Sequence, residues 1–219
     1  MQRAGAIFFA FVFLAAALYL RTISSPSPIA LGRMRADRYL PGHTPPTQPF
    51  PVVIKVNSTF AKSISFILKE QLPPSCIVKT GEPAFVVQHD IPVTIKWLSS
   101  TEKEEELYYA YLAQPDNSVD SGQDLIFSGR LMAEGKSRQL RDIQGRDTVT
   151  IMNYHWADSN RDHIIDDNEI LDIYSSFDIL RDVGVDIEEI RDIWANKGYR
   201  WDKGNEKFTV IRNSRPGSF

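Results

Sequence analysis

The residues most able to do chemistry lie in one acidic stretch, Asp158-Ser159-Asn160-Arg161-Asp162-His163-Ile164-Ile165-Asp166-Asp167-Asn168-Glu169. Oxygen-bearing side chains fall at its first, third, fifth, ninth and twelfth positions. Calcium takes six to eight hard oxygen ligands, and a twelve-residue loop with this spacing wraps them around one ion. Asp158, Asn160 and Asp162 each offer a side-chain oxygen, Ile164 a backbone carbonyl, Asp166 a direct or water-mediated ligand, and Glu169 both carboxylate oxygens. The expected cofactor is therefore Ca2+, with Mg2+ disfavoured because it keeps its waters and uses fewer protein ligands. Against this, twelve Asp and Glu face three Arg between Asp158 and Asp192, a net charge of −9, and an acidic solvated segment matches such spacing more easily by chance.

The elements expected to hold the loop follow from hydropathy. Ile165, at the eighth position, is apolar and suited to packing beneath the loop. From Asp167 onward Ile170, Leu171, Tyr174, Phe177 and Leu180 recur at three and four, which predicts an exit helix. A second helix is expected from Val185 or Asp186, with Ile187, Ile190, Ile193 and Trp194 on one face and Gly198 just past its end. Tyr199, Trp201, Phe208 and Val210 then alternate as a terminal hairpin, whose aromatics serve the core or leave a protein or glycan contact open.

The loop and its exit helix resemble the EF-hand, and more narrowly the dockerin-like calcium loops of secreted bacterial proteins, which often follow Ala-Asp as Asp158 follows Ala157 here. Two features depart from that pattern. His163 stands at the sixth position, where glycine normally permits a sharp turn, which predicts weakened affinity. Val149 to Trp156 are largely β-branched and aromatic, so a full entering helix is not expected. A second loop of the same spacing is absent, which disfavours a paired sensor with a groove between two units.

From Val52 to Met152 eight short β-rich runs are separated by turn residues: Val52–Val56, Ser63–Leu72, Cys76–Thr80, Ala84–His89, Val93–Trp97, Leu107–Ala113, Asp124–Leu131 and Thr148–Met152. This predicts a mostly β sandwich. Ile64, Phe66 and Leu68 mark the buried face of one strand. The run Glu102 to Glu106 reads as a solvated loop, or as an edge strand kept from pairing by charge. Lys69-Glu70-Gln71-Leu72-Pro73-Pro74, Ile95-Lys96-Trp97, Tyr109 to Asn117 and Ile126-Phe127-Ser128-Gly129 occur in an order that resembles Ig-like sandwich repeats of bacterial secreted and surface proteins. That resemblance implies a scaffold or spacer without chemistry of its own.

Ala4 to Leu20 is uncharged and rich in Phe, Ala and Leu, and Arg3 and Arg21 flank it. Residues 1–23 are thus expected to be a signal peptide or membrane helix. Ala15 to Ala17 suit a processing site, whereas Leu18-Tyr19-Leu20 suits a continued span. The arginine bias after the span favours a cytoplasmic carboxyl side, while the calcium loop and the sandwich favour an extracytoplasmic one. Residues 24–51, with seven prolines from Ser24 to Pro51, are expected to form an extended linker. The sandwich then occupies 52–147 and the calcium module 148–219.

Among 219 residues with a net charge of −3 there is no basic surplus for nucleic acid, and the single Cys76 permits no intramolecular disulfide or multi-cysteine zinc site. No nucleophile elbow, His-Glu zinc spacing, phosphate loop or dinucleotide fingerprint occurs, so no enzyme is expected. The functional expectation is a membrane-tethered or secreted calcium-binding module with a structural, adhesion or assembly role. The alternatives are a calcium sensor or buffer and, behind it, a divergent glycan-processing enzyme.

Overall fold

The computed structural model describes residues 34–60, 63–102, 104–134, 140–175, 177–196 and 198–212. Thirteen strands come first: β1 Met34–Tyr39, β2 His43–Thr44, β3 Phe50–Ser58, β4 Ile64–Gln71, β5 Cys76–Glu82, β6 Val86–Gln88, β7 Thr94–Thr101, β8 Glu105–Pro115, β9 Asp124–Ile126, β10 Ser128–Ala133, β11 Leu140–Asp142, β12 Gln144–Gly145 and β13 Thr148–Ile151. Helices α1 Asp167–Tyr174, α2 Phe177–Asp182 and α3 Ile187–Ala195 follow, then the hairpin of β14 Tyr199–Asp202 and β15 Lys207–Val210. Two five-stranded sheets, ordered β12-β1-β3-β8-β5 and β11-β10-β4-β7-β6, form the sandwich, with β2-β13-β9 as a smaller sheet.

Alternation sets the core. β4 buries Ile64, Phe66, Leu68 and Glu70, and β3 buries Val52, Ile54 and Val56. Trp97 of one sheet packs edge-on against Tyr109 of the other at 5.5 Å between ring centres, and Phe66 meets the same Tyr109 at 6.1 Å. Inter-sheet aromatic contacts of this kind bury large apolar area and fix how the sheets face each other. All eight expected runs contain strand, but Asp124–Leu131, expected as one, divides at Phe127 into β9 and β10, which belong to different sheets.

The expected linker at 24–51 is corrected over the described part. Residues 34–51 belong to the sandwich: Met34 and Ala36 are buried, and Arg38 is an inward residue of β1, which pairs with β3 along its whole length. The prolines Pro41, Pro45, Pro46 and Pro49 sit between strands rather than in a spacer. The boundary at 147/148 is likewise moved, because β13 pairs with β9 and β2. Glu105 and Glu106, expected to stay unpaired, lie in β8 opposite Ser58 and Asn57, and Lys55 neutralises Glu106 at 2.8 Å. The expected segment at 1–23 lies outside the described residues, among which no helix is long and apolar enough to cross a membrane.

The exit helix ends earlier than its apolar pattern suggests. Ser175 caps α1 and its hydroxyl bonds the carbonyl of Asp172 at 2.6 Å, a local contact that competes with helix continuation. The inward residues are Ile170 and Ile173, while Leu171 and Tyr174 are exposed. These isoleucines join Ile165, Leu180, Ile187, Ile190, Ile193 and Tyr199 in a second core. Val183 bridges to the sandwich by packing on Ala110 and Leu112 of β8, with Val53, Ile179 and Val185 around them. α2 and the turn after it thereby cover the part of the outer face of β8 that carries Ala110 and Leu112.

Candidate functional site

The loop from Asp158 to Glu169 is organised around two buried carboxylates. Asp158 is fully buried and Glu169 nearly so, Asp166 is half-buried, and Asn160, Asp162 and Ile164 are exposed. Asp158 Oδ1 accepts from the N–H of Arg161 at 2.6 Å and of Asp162 at 3.2 Å, and its Oδ2 accepts from the N–H of His163 at 3.0 Å. Glu169 Oε1 accepts from the N–H of Ser159 at 2.7 Å and of Asn160 at 3.1 Å. Its Oε2 accepts from the N–H of Asp166, whose own side chain accepts from the N–H of Asn168 and Glu169. This reciprocal capping box starts α1 and makes Glu169 both the last residue of the loop and part of the first helical turn.

Turning the chain around these carboxylates requires left-handed backbone at Arg161, φ 65°, and at His163, φ 66°. An L-residue there costs roughly 1–2 kcal/mol relative to glycine. The rings flanking His163 account for its presence. It stacks on Tyr154 at 4.8 Å and meets Tyr199 edge-on at 5.5 Å. The imidazole thus makes ring contacts at a position where glycine would make none.

Sequence reasoning did not find the role of Tyr199. This buried residue of β14 donates its hydroxyl to Asp158 Oδ2 at 2.6 Å and accepts the His155 N–H at 2.8 Å. Burial, followed by the Asp158 hydrogen bond, pushes the phenol well above its ordinary range, so it remains a donor. Its backbone N–H also donates to the His163 carbonyl at 2.9 Å. The one sequence signal was Gly198: a Cβ there would meet the His163 carbonyl oxygen at 2.2 Å, so only glycine lets the hairpin approach the loop.

The donor set is oxygen throughout, in the order a hard cation needs. Asn160 and Asp162 are linked at 3.1 Å, and Asp162 Oδ1 accepts the Ile164 N–H at 2.9 Å. Asp158 accepts four hydrogen bonds, which fill the lone pairs of a carboxylate, so an ion ligated there has to share or displace a donor. Among the described residues no three His, Cys, Asp or Glu side chains are gathered closely enough to hold an ion. The residues fit calcium in kind and sequence order, and their side chains are turned onto the loop's own N–H groups.

Arg38 meets Glu70 through two bonds of 2.7 and 2.8 Å in the sandwich core, with the Tyr111 hydroxyl at 3.4 Å. Burial raises Glu70 to about 7 against the opposing pull of Arg38. A bidentate pair of this kind satisfies both charges where removal of one would strand the other. Nothing in the local sequence marked it, because its partners are 32 residues apart. Cys76 is buried and its thiol is pushed up to about 12 by burial and Asp116, which leaves it a packing residue rather than a nucleophile.

No protein-family model and no curated protein matches the chain. Solved structures similar to part of it include BcpA, the major pilin subunit of Bacillus cereus, at 11% identity over 55% of this chain, with a TM-score of 0.42. The match spans 41% of that pilin's own length. A type III cohesin module from the cellulosomal ScaE cell-surface anchoring scaffoldin of Ruminococcus flavefaciens is similar at 9% identity over 54% of this chain and 87% of its own, with a TM-score of 0.40. The cohesin module of a Clostridium perfringens family 33 glycoside hydrolase is similar at 9% identity over 54% and 96%, with a TM-score of 0.41.

Proposed function

We propose that this chain is a membrane-tethered or secreted, extracytoplasmic structural module whose C-terminal unit binds calcium in the Asp158–Glu169 loop, in the manner of an EF-hand or dockerin-like loop. The observation that carries the reading is the continuous frame of the loop. Left-handed turns at Arg161 and His163 lead to a capping box that makes Glu169 part of both loop and α1. Asp158, Asn160, Asp162, Asp166 and Glu169 would hold the ion through side chains and Ile164 through its carbonyl. The ion supplies positive charge among four carboxylates, and Glu169 ties that charge to α1 and hence to the second core.

Affinity in the ~10⁻⁴ to 10⁻³ M range of extracellular modules suits the proposed compartment, and a dissociation constant below about 1 µM would favour the cytosolic sensor or buffer instead. Calcium titration and thermal unfolding of the full-length protein test both points. At about 100 times its dissociation constant calcium adds about 2.7 kcal/mol. Glu169→Gln removes most of that gain, and Asp167→Asn, outside the ligand set, removes little. Equal calcium responses for wild type and Glu169→Gln would reject the site. A second reading rests on the four donors to Asp158: the loop is closed by Tyr199 and needs no ion. Under it, calcium leaves the wild type unchanged while Tyr199→Phe destabilises the protein.

A further inference from the structure

α2 packs on part of one outer face of the sandwich, and the opposite outer face carries an apolar row with nothing described over it. In the β11-β10-β4-β7 sheet Leu140, Met132, Ile67 and Leu98 lie directly opposite one another across four strands. Directly opposed residues share a face, and the inward neighbours Leu131, Phe66, Leu68 and Trp97 show that this row points outward. Leu98 is 81% exposed and Leu140 52%.

The polar residues beside the row are arranged self-complementarily. Two residues along each strand on one side stand Arg130, Lys69 and Lys96 in one cross-strand line. On the other side stand Glu134, whose N–H bonds the Ser65 carbonyl, and the opposed pair Ser65 and Ser100. Like charges directly opposite each other are unfavourable within a sheet, and among the described residues only Arg130 of the three has a carboxylate partner across the strands, Asp142 at 3.4 Å. A two-fold axis running along the apolar row lays each row residue over its counterpart in a second copy. The same axis sets Arg130 of each copy over Glu134 of the other, and the lysines over Ser65 and Ser100.

We infer that this face is an isologous dimer interface between two copies of the chain. Hydrophobic burial along the row supplies the contact, and the two Arg130–Glu134 pairs fix its register. Strand spacing and rise give the face roughly 450 Å² per copy, on the order of 900 Å² in total, at the low end for specific association. The dimer is accordingly weak and concentration-dependent. It does not rest on calcium.

Sedimentation velocity of the full-length protein in a mild non-ionic detergent, over a concentration series, tests the interface. Arg130→Glu and Glu134→Arg, both at exposed positions, each weaken association at least about ten-fold, and the combined swap restores it to within about three-fold. In the full-length protein a short thiol-reactive bis-maleimide, whose span suits the roughly 10 Å between packed sheets, joins Leu98→Cys to its own counterpart, whereas Ile77→Cys on the other sheet is not joined. A wild type that stays monomeric, single variants that associate unchanged, a combined swap that fails to restore association, or equal cross-linking at positions 98 and 77 would each overturn the proposal.

Discussion

His163 and His155 show how much of the loop rests on individual side chains. The imidazole of His163 keeps a left-handed residue in place by stacking, so the position usually given to glycine contributes contacts instead of freedom. His155 is buried with its Nδ1 accepting the Ala157 N–H at 3.1 Å, and Glu189 lies 3.9 Å from its Nε2. Burial, then neighbouring His43, pulls its pKa down to about 3 from the ordinary 6.5. The unfolded chain therefore binds a proton below pH 6.5 that the folded chain refuses. His155 stabilises fully above 6.5 and progressively less as pH falls toward 3. Glu70, with its pKa raised to about 7, contributes the opposite slope between 4.5 and 7, so the two are separated only by a variant. Urea unfolding at pH 7 and pH 5 should show wild type losing up to about 2 kcal/mol more than His155→Asn; identical losses would refute the assignment.

At the scale of elements, the hairpin β14–β15 does for this single loop what a neighbouring element must do for any isolated turn. Tyr199 reaches Asp158 through its hydroxyl and His163 through its N–H, while Ile211 N–H closes back on the Gly198 carbonyl at 2.8 Å. Gly198, at φ 105°, makes the approach possible. Gly198→Ala combines a disfavoured φ with a backbone clash, so it should destabilise the protein by at least about 1 kcal/mol. It should also slow nothing in the sandwich: hydrogen exchange of the loop amides of Arg161 to His163 should rise while that of β4 and β7 stays constant. Unchanged loop protection would show that the hairpin does not brace it.

For the whole molecule, the contact of Val183 with Ala110 and Leu112 decides whether two cores behave as one. Thr80 adds a hydroxyl bond of 2.5 Å to the Val183 carbonyl, which anchors α2 to strand β5. A buried apolar bridge of this kind couples the unfolding of its two sides, because separating them exposes Ala110 and Leu112 to water. Scanning calorimetry of the wild type should give one transition. Val183→Asp, which places a charge in that bridge, should lower stability by about 3 kcal/mol and split the transition in two. Two transitions already present in the wild type would mean that the units unfold independently.

Strand positions, the hairpin, α3 and the loop itself were legible in the sequence because each is signalled locally, by alternation, by turn residues or by fixed spacing. Ile187, Ile190 and Ile193 are buried on one side of α3 as their spacing implied, whereas Trp194, expected on the same face, is exposed. Features made by distant segments were not legible. The prolines of residues 34–51 read as a spacer because the pairing of β1 with β3 and the ion pair of Arg38 with Glu70 depend on chain far away. The inward face of α1 shifted to Ile170 and Ile173 because the neighbouring helix and hairpin, not the helix's own periodicity, decide which side is covered. Tyr199 became a donor to Asp158, and the row from Leu140 to Leu98 became a surface, only through tertiary register. Local pattern determines which elements a chain can form, whereas the burial that selects their faces and partners is a property of elements brought together by folding.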